Sequence, residues 1–349
     1  MPKNFKKQPE PPAFDDDESD ETFDDLMRSD FVVEARDRCT LGKPRCIALK
    51  KWDDTFVRIA PPVDRAEHAS RRGADDRRDR HAVNRLIDSL GLPKSLTGPS
   101  SLHAVDELAA ALFADAPNFG PAIQAIRSSA MAHIRRGTRW MQFRPIVIQS
   151  APGAGKTRLV HQLAQLSGVP MLYLDCASMS NLAPILGLDA AWSTSRSSEI
   201  MEAIARENVA NPVVVLDELD KLRDYGRNAG PQPSEALVGL LEKRSAAAHL
   251  DHFTQLTIDM SFINWVILVN DIEKLSQPLL DRCQVIRLPP PTPGEIEQIA
   301  AREIDHRGLE PELVATLIKA VRVGKITSLR KLHKLLDAAA AAAARPLLN

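Results

Sequence analysis

Short apolar runs of strand length alternate with segments of helical spacing after Pro145. The strand-like runs lie at 145–149, 170–174, 212–216, 264–269 and, more weakly, 284–288. The helix-like segments between them lie at 156–166, about 197–207 and about 233–243. Because continuous apolar strands separated by helices are typical of a parallel sheet covered on both faces, we predict an α/β fold of that kind.

The first hundred residues carry a weaker pattern. Residues 1–30 are acidic, polar and poor in apolar side chains, which predicts a disordered tail. Short apolar runs predict a few strands, at 31–33, 47–49 and 56–59. A charged linker with one short helix at about 82–90 is expected next. From residue 101 the spacing becomes helical over 102–113 and 119–134, so we expect two helices before the sheet.

Residues 292–349 contain helical spacing only. Their first helix is expected to open on a capping box, with Thr292 at the cap, Pro293 at the first helical position and Glu295 at the third. We therefore predict four parts: an acidic tail 1–30, an N-terminal region and linker 31–100, a large α/β domain 101–290 and a small helical domain 291–349.

Composition favours a globular protein with a sizeable core. The 349 residues are 44% hydrophobic and 26% charged, with a formal net charge of −1, so about two domains are expected. Two runs depart from this balance: residues 15–25 are acidic, and residues 71–80 carry five arginines broken by three aspartates. Both are typical of solvated, disordered segments. The aspartates weaken a nucleic-acid interpretation of the arginines without excluding it.

The four cysteines are Cys39, Cys46, Cys176 and Cys283. No second Cys/His pair stands beside the first two to complete a tetrahedral zinc site, so we expect free thiols in a reducing cytoplasm. The N-terminus lacks the apolar stretch of a signal peptide, and no run has the length to cross a bilayer. We therefore expect a cytoplasmic protein without a membrane partner.

Candidate chemistry begins at residues 150–157, which read Ser-Ala-Pro-Gly-Ala-Gly-Lys-Thr and follow an apolar run. A strand, a Gly-rich turn and a Gly-Lys-Thr that opens a helix are typical of a P-loop, whose backbone N–H groups hold phosphate oxygens. Lys156 is then expected to reach the β- and γ-phosphates of ATP, and the Thr157 hydroxyl to hold Mg²⁺. The first position calls for glycine and is Ser150 here; a chance turn without a nucleotide is the alternative. The predicted phosphate-binding set is Pro152, Gly153, Ala154, Gly155, Lys156, Thr157 and Arg158.

Two adjacent acids follow the apolar strand candidate at 212–216. At the carboxyl end of a parallel strand such acids face the ligand crevice. We expect Asp217 to hold Mg²⁺, directly or through water, and Glu218 to orient and deprotonate an attacking water. A solvated turn is the alternative interpretation.

Three further polar residues are candidates on weaker grounds. Asn270 ends the strand candidate at 264–269, where its amide can bond both the γ-phosphate and the attacking water. Arg282 can stabilise charge developing on the γ-phosphate, or it can be a surface arginine in an ion pair. Arg330 lies off the apolar stripe of its helix, and its spacing fits a functional and a merely solvated arginine equally well.

The order of these motifs resembles the AAA+ ATPase family, and most of all the ATPase module of the Lon proteases. The similarity covers about residues 101–345 and is most specific at 211–221, around the two acids, and at 278–286, around Arg282. It implies a P-loop NTPase sheet followed by a small all-helical lid domain. Asn270 matches the sensor-1 residue of the family.

The same resemblance implies that Arg282 is an arginine finger acting on the ATP of a neighbouring subunit, and that Arg330 is the sensor-2 arginine. It also implies a homo-oligomeric ring, usually of six subunits, with a nucleotide at each interface. Trp192 falls near the aromatic pore-loop residue of Lon-like ATPases, which would grip a threaded polypeptide. The residues after Trp192 match the aromatic-Ile-Gly pattern of the family poorly, since they read Ser-Thr-Ser. A loop tryptophan packed on the domain surface is the alternative.

The sequence departs from Lon at both ends. The N-terminal 100 residues are shorter and more charged than a Lon substrate-recognition domain. It ends at Asn349, which leaves no room for a protease domain with a Ser-Lys dyad, so no protease activity is expected. Our leading expectation is a ring-forming ATP hydrolase that remodels or unfolds a protein. The second is a nucleotide switch that assembles on nucleic acid or a partner complex without threading, which the weak pore loop fits. A scaffold with a dead nucleotide site is disfavoured because the candidate site residues are all of a competent type.

Overall fold

The computed structural model describes residues 55–61, 77–188, 196–222, 237–310 and 312–343. These residues belong to one structural unit, Arg45–Asn349. Several sequence-based predictions lie outside the described residues: the tail, the strand candidates at 31–33 and 47–49, Cys39, Cys46 and Trp192. Within the described ranges, no helix has the length and apolar character needed to cross a membrane.

The strands of the described residues are β1 Phe56–Val57, β2 Lys94–Ser95, β3 Ile146–Gln149, β4 Met171–Asp175, β5 Val213–Asp217, β6 His249–Asp251, β7 Leu256–Ile258, β8 Asn264–Val269 and β9 Gln284–Arg287. Five of them form the central sheet in the order β4-β5-β8-β3-β9, and every neighbouring pair is parallel. The predicted parallel sheet is confirmed.

The helices are α1 Arg77–Gly91, α2 Leu102–Asp115, α3 Gly120–Ile134, α4 Lys156–Ser167, α5 Ala183–Leu186, α6 Glu199–Glu207, α7 Val238–Leu241, α8 Lys243–Ala246, α9 Gln277–Leu280, α10 Pro293–His306, α11 Glu312–Arg322 and α12 Leu329–Ala343. The predicted capping box is confirmed at the start of α10. The Thr292 hydroxyl accepts a hydrogen bond from the backbone N–H of Glu295, and the Glu295 carboxylate accepts one from the backbone N–H of Thr292.

Alternate side chains of the sheet face two separate cores, as the period of a strand requires. In β5, Val213 and Val215 pack into one core, while Val214 and Leu216 pack into the other. All five residues of β5 and all six of β8 are buried, because helices cover both faces. Burial of each such aliphatic side chain stabilises the fold by about 1.5–3 kcal/mol.

Helices α10, α11 and α12 share a third apolar core, whose buried members include Ile299, Leu332 and Leu336. This core accounts for the purely helical spacing of the C-terminal segment. The boundaries of the four predicted parts stay a prediction.

The fold differs from the sequence-based expectations in several places. Residues 77–80, the end of the arginine run expected to be disordered, are helical and begin α1, which packs Val83, Ile87 and Leu90 into the core. The described part of the helix expected at about 233–243 is two short helices, because Glu242 between them adopts an extended backbone with φ of −92° and ψ of 120°. Strands β6 and β7 form an antiparallel hairpin that was not predicted, since each strand has only three residues and a run that short shows no clear period.

Candidate functional site

A Gly-rich loop joins the carboxyl end of β3 to the start of α4. Gly153 has a φ of 79° and Gly155 a φ of 96°, in the left-handed region that favours glycine. Ser150, at the first position of the loop pattern, has a negative φ, so serine imposes no backbone strain there. Its hydroxyl oxygen is buried and has no hydrogen-bond partner among the described residues.

The N-terminus of α12 packs directly on this loop. A Cβ atom added to Gly153 would lie 3.2 Å from the Cβ of Arg330, and one added to Gly155 would lie 3.3 Å from Cδ1 of Leu329. In the turn that precedes α3, the side-chain amide of Asn118 donates a hydrogen bond to the backbone oxygen of Ala154 at 3.0 Å. Both the N-terminus of α12 and this turn therefore contact the loop.

Lys156 is buried at the first position of α4, behind the loop. Its ammonium group donates hydrogen bonds to the backbone oxygen of Ser150 at 2.7 Å and to Oδ1 of Asn270 at 2.8 Å. Burial lowers the pKa of Lys156, and the charges of Asp217 and the neighbouring acids partly oppose that effect. The predicted lysine and the predicted strand-end asparagine thus meet at the same edge of the sheet.

The carboxylate of Asp217 is bound by two hydroxyl groups. Thr157 Oγ1 donates a hydrogen bond to Asp217 Oδ2 at 2.9 Å, and the hydroxyl of Tyr173 donates to the same oxygen at 2.5 Å. Burial, followed by the hydrogen bond to Asp217, raises the pKa of Tyr173, which remains protonated. No sequence pattern marked Tyr173 as a site residue. The register of β4 against β5 brings it close to the end of β5.

Glu218 follows β5 with a φ of 54°, an unusual backbone conformation for a residue other than glycine. Such conformations cluster at functional sites. Its carboxylate Oε1 forms an ion pair with Nζ of Lys221 at 2.6 Å. That pairing holds the Glu218 side chain at the edge of the sheet.

Asp220 is a second residue of the site that sequence reasoning missed. Its carboxylate accepts hydrogen bonds from the backbone N–H groups of Asn270, at 3.4 Å, and Asp271, at 3.2 Å. These bonds tie the turn after β8 to the segment after β5. Its position two residues beyond Asp217 and Glu218 could have marked it as a third acid of the site. Its hydrogen-bond partners are visible only in the tertiary structure.

The guanidinium of Arg158 contacts the C-terminal helices. It forms an ion pair with Glu303 of α10, and its NH1 lies 3.2 Å from Nε2 of His333 in α12. Burial alone would raise the pKa of Glu303, but the hydrogen bond and charge of Arg158, with the charges of His333 and Arg307, hold it below its ordinary value. Arg158 therefore links α4 to α10 and α12.

Arg282 lies at the opposite edge of the sheet from the loop. It stands just before β9, whose first residue, Gln284, is paired with Ile146 at the start of β3. The loop follows the other end of β3, so at least the length of that strand, roughly 13 Å, separates the two. Arg282 donates a hydrogen bond to the backbone oxygen of Pro278 at 2.9 Å and lies 3.4 Å from Glu242.

The structure thus brings together most of the predicted site. Lys156, Thr157, Asp217, Glu218 and Asn270 lie at the carboxyl ends of β3, β5 and β8, beside the glycine loop. Arg330 lies against Gly153 and is exposed, with no ion pair among the described residues. Arg282 is separate from this cluster, and Trp192 lies outside the described residues.

The two cysteines within the described residues, Cys176 and Cys283, are buried and free. Burial raises the pKa of each thiol to about 12. Both are therefore unreactive core residues rather than part of this site.

Comparison with known proteins gives a consistent result. Residues 146–290 match the family model described as "ATPase family associated with various cellular activities (AAA)". The peroxisomal Lon protease homolog 2 of Spinacia oleracea is 30% identical over 203 residues, which are 55% of this chain and 22% of that protein. Lon protease 4 of Sorangium cellulosum is 31% identical over 163 residues, which are 47% of this chain and 20% of that protein.

The chain thus spans less than a quarter of the length of these curated relatives. Among solved structures, Hsp104 in a closed state with ATPγS and FITC casein matches with a TM-score of 0.53 and 15% sequence identity. That match covers 67% of this chain and 46% of the Hsp104 chain, and at this identity it shows the fold alone.

Proposed function

We propose that this chain, whose residues 146–290 are an ATPase domain of the AAA family, assembles into a homo-oligomeric ring and uses ATP hydrolysis to remodel or unfold a protein substrate. One observation carries the hydrolytic part of the proposal. A buried lysine, a hydroxyl–carboxylate pair, a second carboxylate and an asparagine amide converge at one edge of the sheet, beside the glycine loop.

The side chains of this edge fit ATP and its magnesium ion. Thr157 Oγ1 and Asp217 Oδ2 lie 2.9 Å apart, and hydroxyl and carboxylate oxygens are the ligands that a hard divalent cation prefers. When bound, Mg²⁺ would neutralise charge on the phosphates. The loop N–H groups and Lys156 would bind the phosphate oxygens, with Asn118 keeping the Ala154 carbonyl turned away from them.

In the proposed reaction, a water oxygen attacks the γ-phosphorus, the bond to the β–γ bridging oxygen breaks, and ADP and inorganic phosphate leave. Glu218 accepts the proton of that water, because it directly follows β5 and its carboxylate lies at the carboxyl end of that strand, beside the glycine loop. Asn270, fixed by Lys156 and by the backbone bonds to Asp220, orients the water or the γ-phosphate.

Of the two candidate arginines, one acts within the chain and the other supports an assembly with shared sites. Arg330 lies against Gly153, where its guanidinium can reach a phosphate bound by the same chain. Arg282 lies at the opposite sheet edge from the loop, so it does not reach a phosphate in its own loop, and an ATP that it contacts would be bound by another copy. A head-to-tail arrangement that closes on itself gives a ring, and we propose six subunits, the number that the family resemblance implies.

Remodelling of a protein substrate is proposed from similarity to the ATPase part of Lon proteases and from the fold shared with Hsp104. A threading role for Trp192, a cytoplasmic location and the lack of protease activity stay predictions from the sequence. Loss of substrate unfolding in Trp192→Ala, with ATP hydrolysis intact, would support threading. Retained unfolding in that variant would contradict it.

The test of the hydrolytic assignment compares the steady-state ATPase rate of the wild-type chain with those of Lys156→Ala and Glu218→Gln. We expect Lys156→Ala to lose nucleotide binding, and Glu218→Gln to bind ATP but not hydrolyse it. Equal turnover in all three proteins would overturn the assignment. Mass measurement with a slowly hydrolysed ATP analogue tests the ring, and a monomer under those conditions would refute it.

A further inference from the structure

A cavity of about 530 Å³ lies at the amino-terminal edge of the central sheet, the edge opposite the glycine loop. Residues that precede or begin three of its strands line it: Pro145 before β3, Ile263 before β8, and Gln284 at the start of β9. The C-terminal half of α3 and the helices α7 and α8 form its other walls. Its volume lies in the range of small-molecule sites in proteins.

Four cationic side chains line this cavity: Arg136, Arg144, Lys243 and Arg282. They come from four different segments of the chain, so tertiary folding gathers them. Arg136, Arg144 and Lys243 are exposed, and none of the three forms an ion pair with a described residue. A partner can therefore reach them.

Within the described part of the chain, few carboxylates neutralise the cationic side chains that line the cavity. The one carboxylate paired with a cavity cation among the described residues is Glu242, which lies 3.4 Å from Arg282. The Nε atom of Arg282 is buried and has no hydrogen-bond partner among those residues. Desolvation, followed by the nearby charge of Arg136, lowers the pKa of Lys243, with Asp259 opposing that effect. A cavity lined by four cations, with one carboxylate paired to them among the described residues, favours an anionic ligand of high charge density.

We propose that this cationic cavity receives the triphosphate bound by a second copy of the chain, with Arg144 and Lys243 contacting phosphate oxygens beside Arg282. The inference rests on the proposed function, because it needs an assembly in which one copy's glycine loop faces another copy's amino-terminal sheet edge. It adds two phosphate-contacting residues that no sequence motif marked. The cavity and the loop lie at opposite edges of one sheet, so a heterologous contact between copies brings them together.

Single substitutions test the two residues against matched neighbours. Lys243→Ala and Arg144→Ala should each lower the ATPase rate of the assembled protein about 10-fold or more, because each removes a donor to the phosphates. Lys243→Arg should retain most of the rate. The controls are Arg244→Ala and Arg135→Ala, exposed residues next to cavity cations but outside the cavity lining, which should change the rate less than about 2-fold. Equal effects of Lys243→Ala and Arg244→Ala would overturn the proposal.

Mixing two variants tests whether Lys243 acts on the nucleotide of another copy or only stabilises its own subunit. A Lys243→Ala subunit keeps its own loop, and a Lys156→Ala subunit keeps its cavity. If the two are mixed before ATP is added, the mixture should hydrolyse ATP faster than the sum of the separate proteins. Absence of complementation for this pair, while Arg282→Ala and Lys156→Ala do complement, would refute the cavity proposal and leave the proposed function standing. A wild-type chain that neither assembles nor hydrolyses ATP would refute both.

A binding assay distinguishes the other possible occupants. Lys156→Ala should show no binding of a fluorescent ATP analogue, since the cavity is proposed to meet a triphosphate only when another copy carries it. If Lys156→Ala does bind that analogue and the Lys156→Ala Lys243→Ala double variant does not, the occupant is a free nucleotide. If the same loss is seen for a short DNA duplex, the occupant is a nucleic acid. Either result would overturn the proposal.

Discussion

The ammonium group of Lys156 lies 2.8 Å from the side-chain oxygen of Asn270, although 114 residues separate them in the chain. Strands β3 and β8 are hydrogen-bonded neighbours, so the residues that follow them meet at one edge of the sheet. Lys156 is buried and positively charged, and Asn270 is one of two groups whose hydrogen bonds stabilise its charge.

Asn270→Ala should therefore separate catalysis from binding. We expect the turnover number to fall about 100-fold, as for loss of one preorganised polar group, with nucleotide affinity changed by less than about 3-fold. Nucleotide affinity is measured by fluorescence titration and turnover by phosphate release. Asn181→Ala is the matched control, at an exposed asparagine whose side-chain oxygen accepts a hydrogen bond from the backbone N–H of Ala183. Unchanged turnover in Asn270→Ala would contradict the assigned role.

Tyr173→Phe should weaken magnesium binding. The tyrosine hydroxyl orients the Asp217 carboxylate through a hydrogen bond at 2.5 Å, and groups that orient metal ligands typically change metal affinity 10-fold or more. We expect the Mg²⁺ concentration for half-maximal ATPase activity to rise about 10-fold. Affinity for ATP measured without the metal should stay the same, and a loss there would show that Tyr173 acts on the loop instead.

Ser150→Ala should stabilise the protein. The Ser150 hydroxyl is buried without a partner among the described residues, so its removal relieves a desolvation cost of about 1 kcal/mol. Urea denaturation measures the change in the free energy of unfolding. Ser197→Ala is the opposite control. The buried Ser197 hydroxyl donates a hydrogen bond at 3.2 Å to the Ser198 backbone oxygen, so its removal should lower the free energy of unfolding. Destabilisation by Ser150→Ala would contradict this prediction.

Gly155→Ala should destabilise the contact between the loop and α12. Alanine at a φ of 96° is strained, and its Cβ would lie 3.3 Å from Leu329, so we expect a loss of about 2–3 kcal/mol in the free energy of unfolding. Gly168→Ala is the control for strain alone. Gly168 has a φ of 68° and no atom within 4 Å of the added Cβ, so a loss of about 1 kcal/mol is expected. Equal losses in the two variants would argue that α12 does not pack on the loop.

Glu303→Gln should weaken the link between α4 and the C-terminal helices. The pKa of Glu303 is held below its ordinary value of 4.5, so its ionised form stabilises the fold at any pH above 4.5. That contribution is lost as the pH falls from 4.5 through the lowered pKa. The variant should be less stable than wild type by about 1–3 kcal/mol at pH 7, and the difference should shrink below pH 4.5.

Thermal denaturation at several pH values measures this difference between Glu303→Gln and wild type. Glu297→Gln is the matched control, since Glu297 pairs with the exposed Arg322 and such surface pairs contribute little. A pH-independent difference for Glu303→Gln would show that the carboxylate's charge does not matter.

The sequence by itself determined the sheet, most of its covering helices and the residue types of the candidate site. Continuous apolar runs mark β3, β4, β5 and β8 within one residue at each end, because strands buried on both faces exclude polar side chains. The loop glycines and the acids after β5 were equally visible, since a phosphate-binding turn and a strand end each restrict which residues fit.

Tertiary structure alone decided which of these residues meet. Strand order brings Asn270 to Lys156 and Tyr173 to Asp217, and no local pattern encodes a neighbour in the sheet. The parallel register also separates Arg282 from the loop and gathers it with Arg136, Arg144 and Lys243 around one cavity. Periodicity reports whether a side chain is buried, but contacts between distant segments follow from the packing of the whole chain.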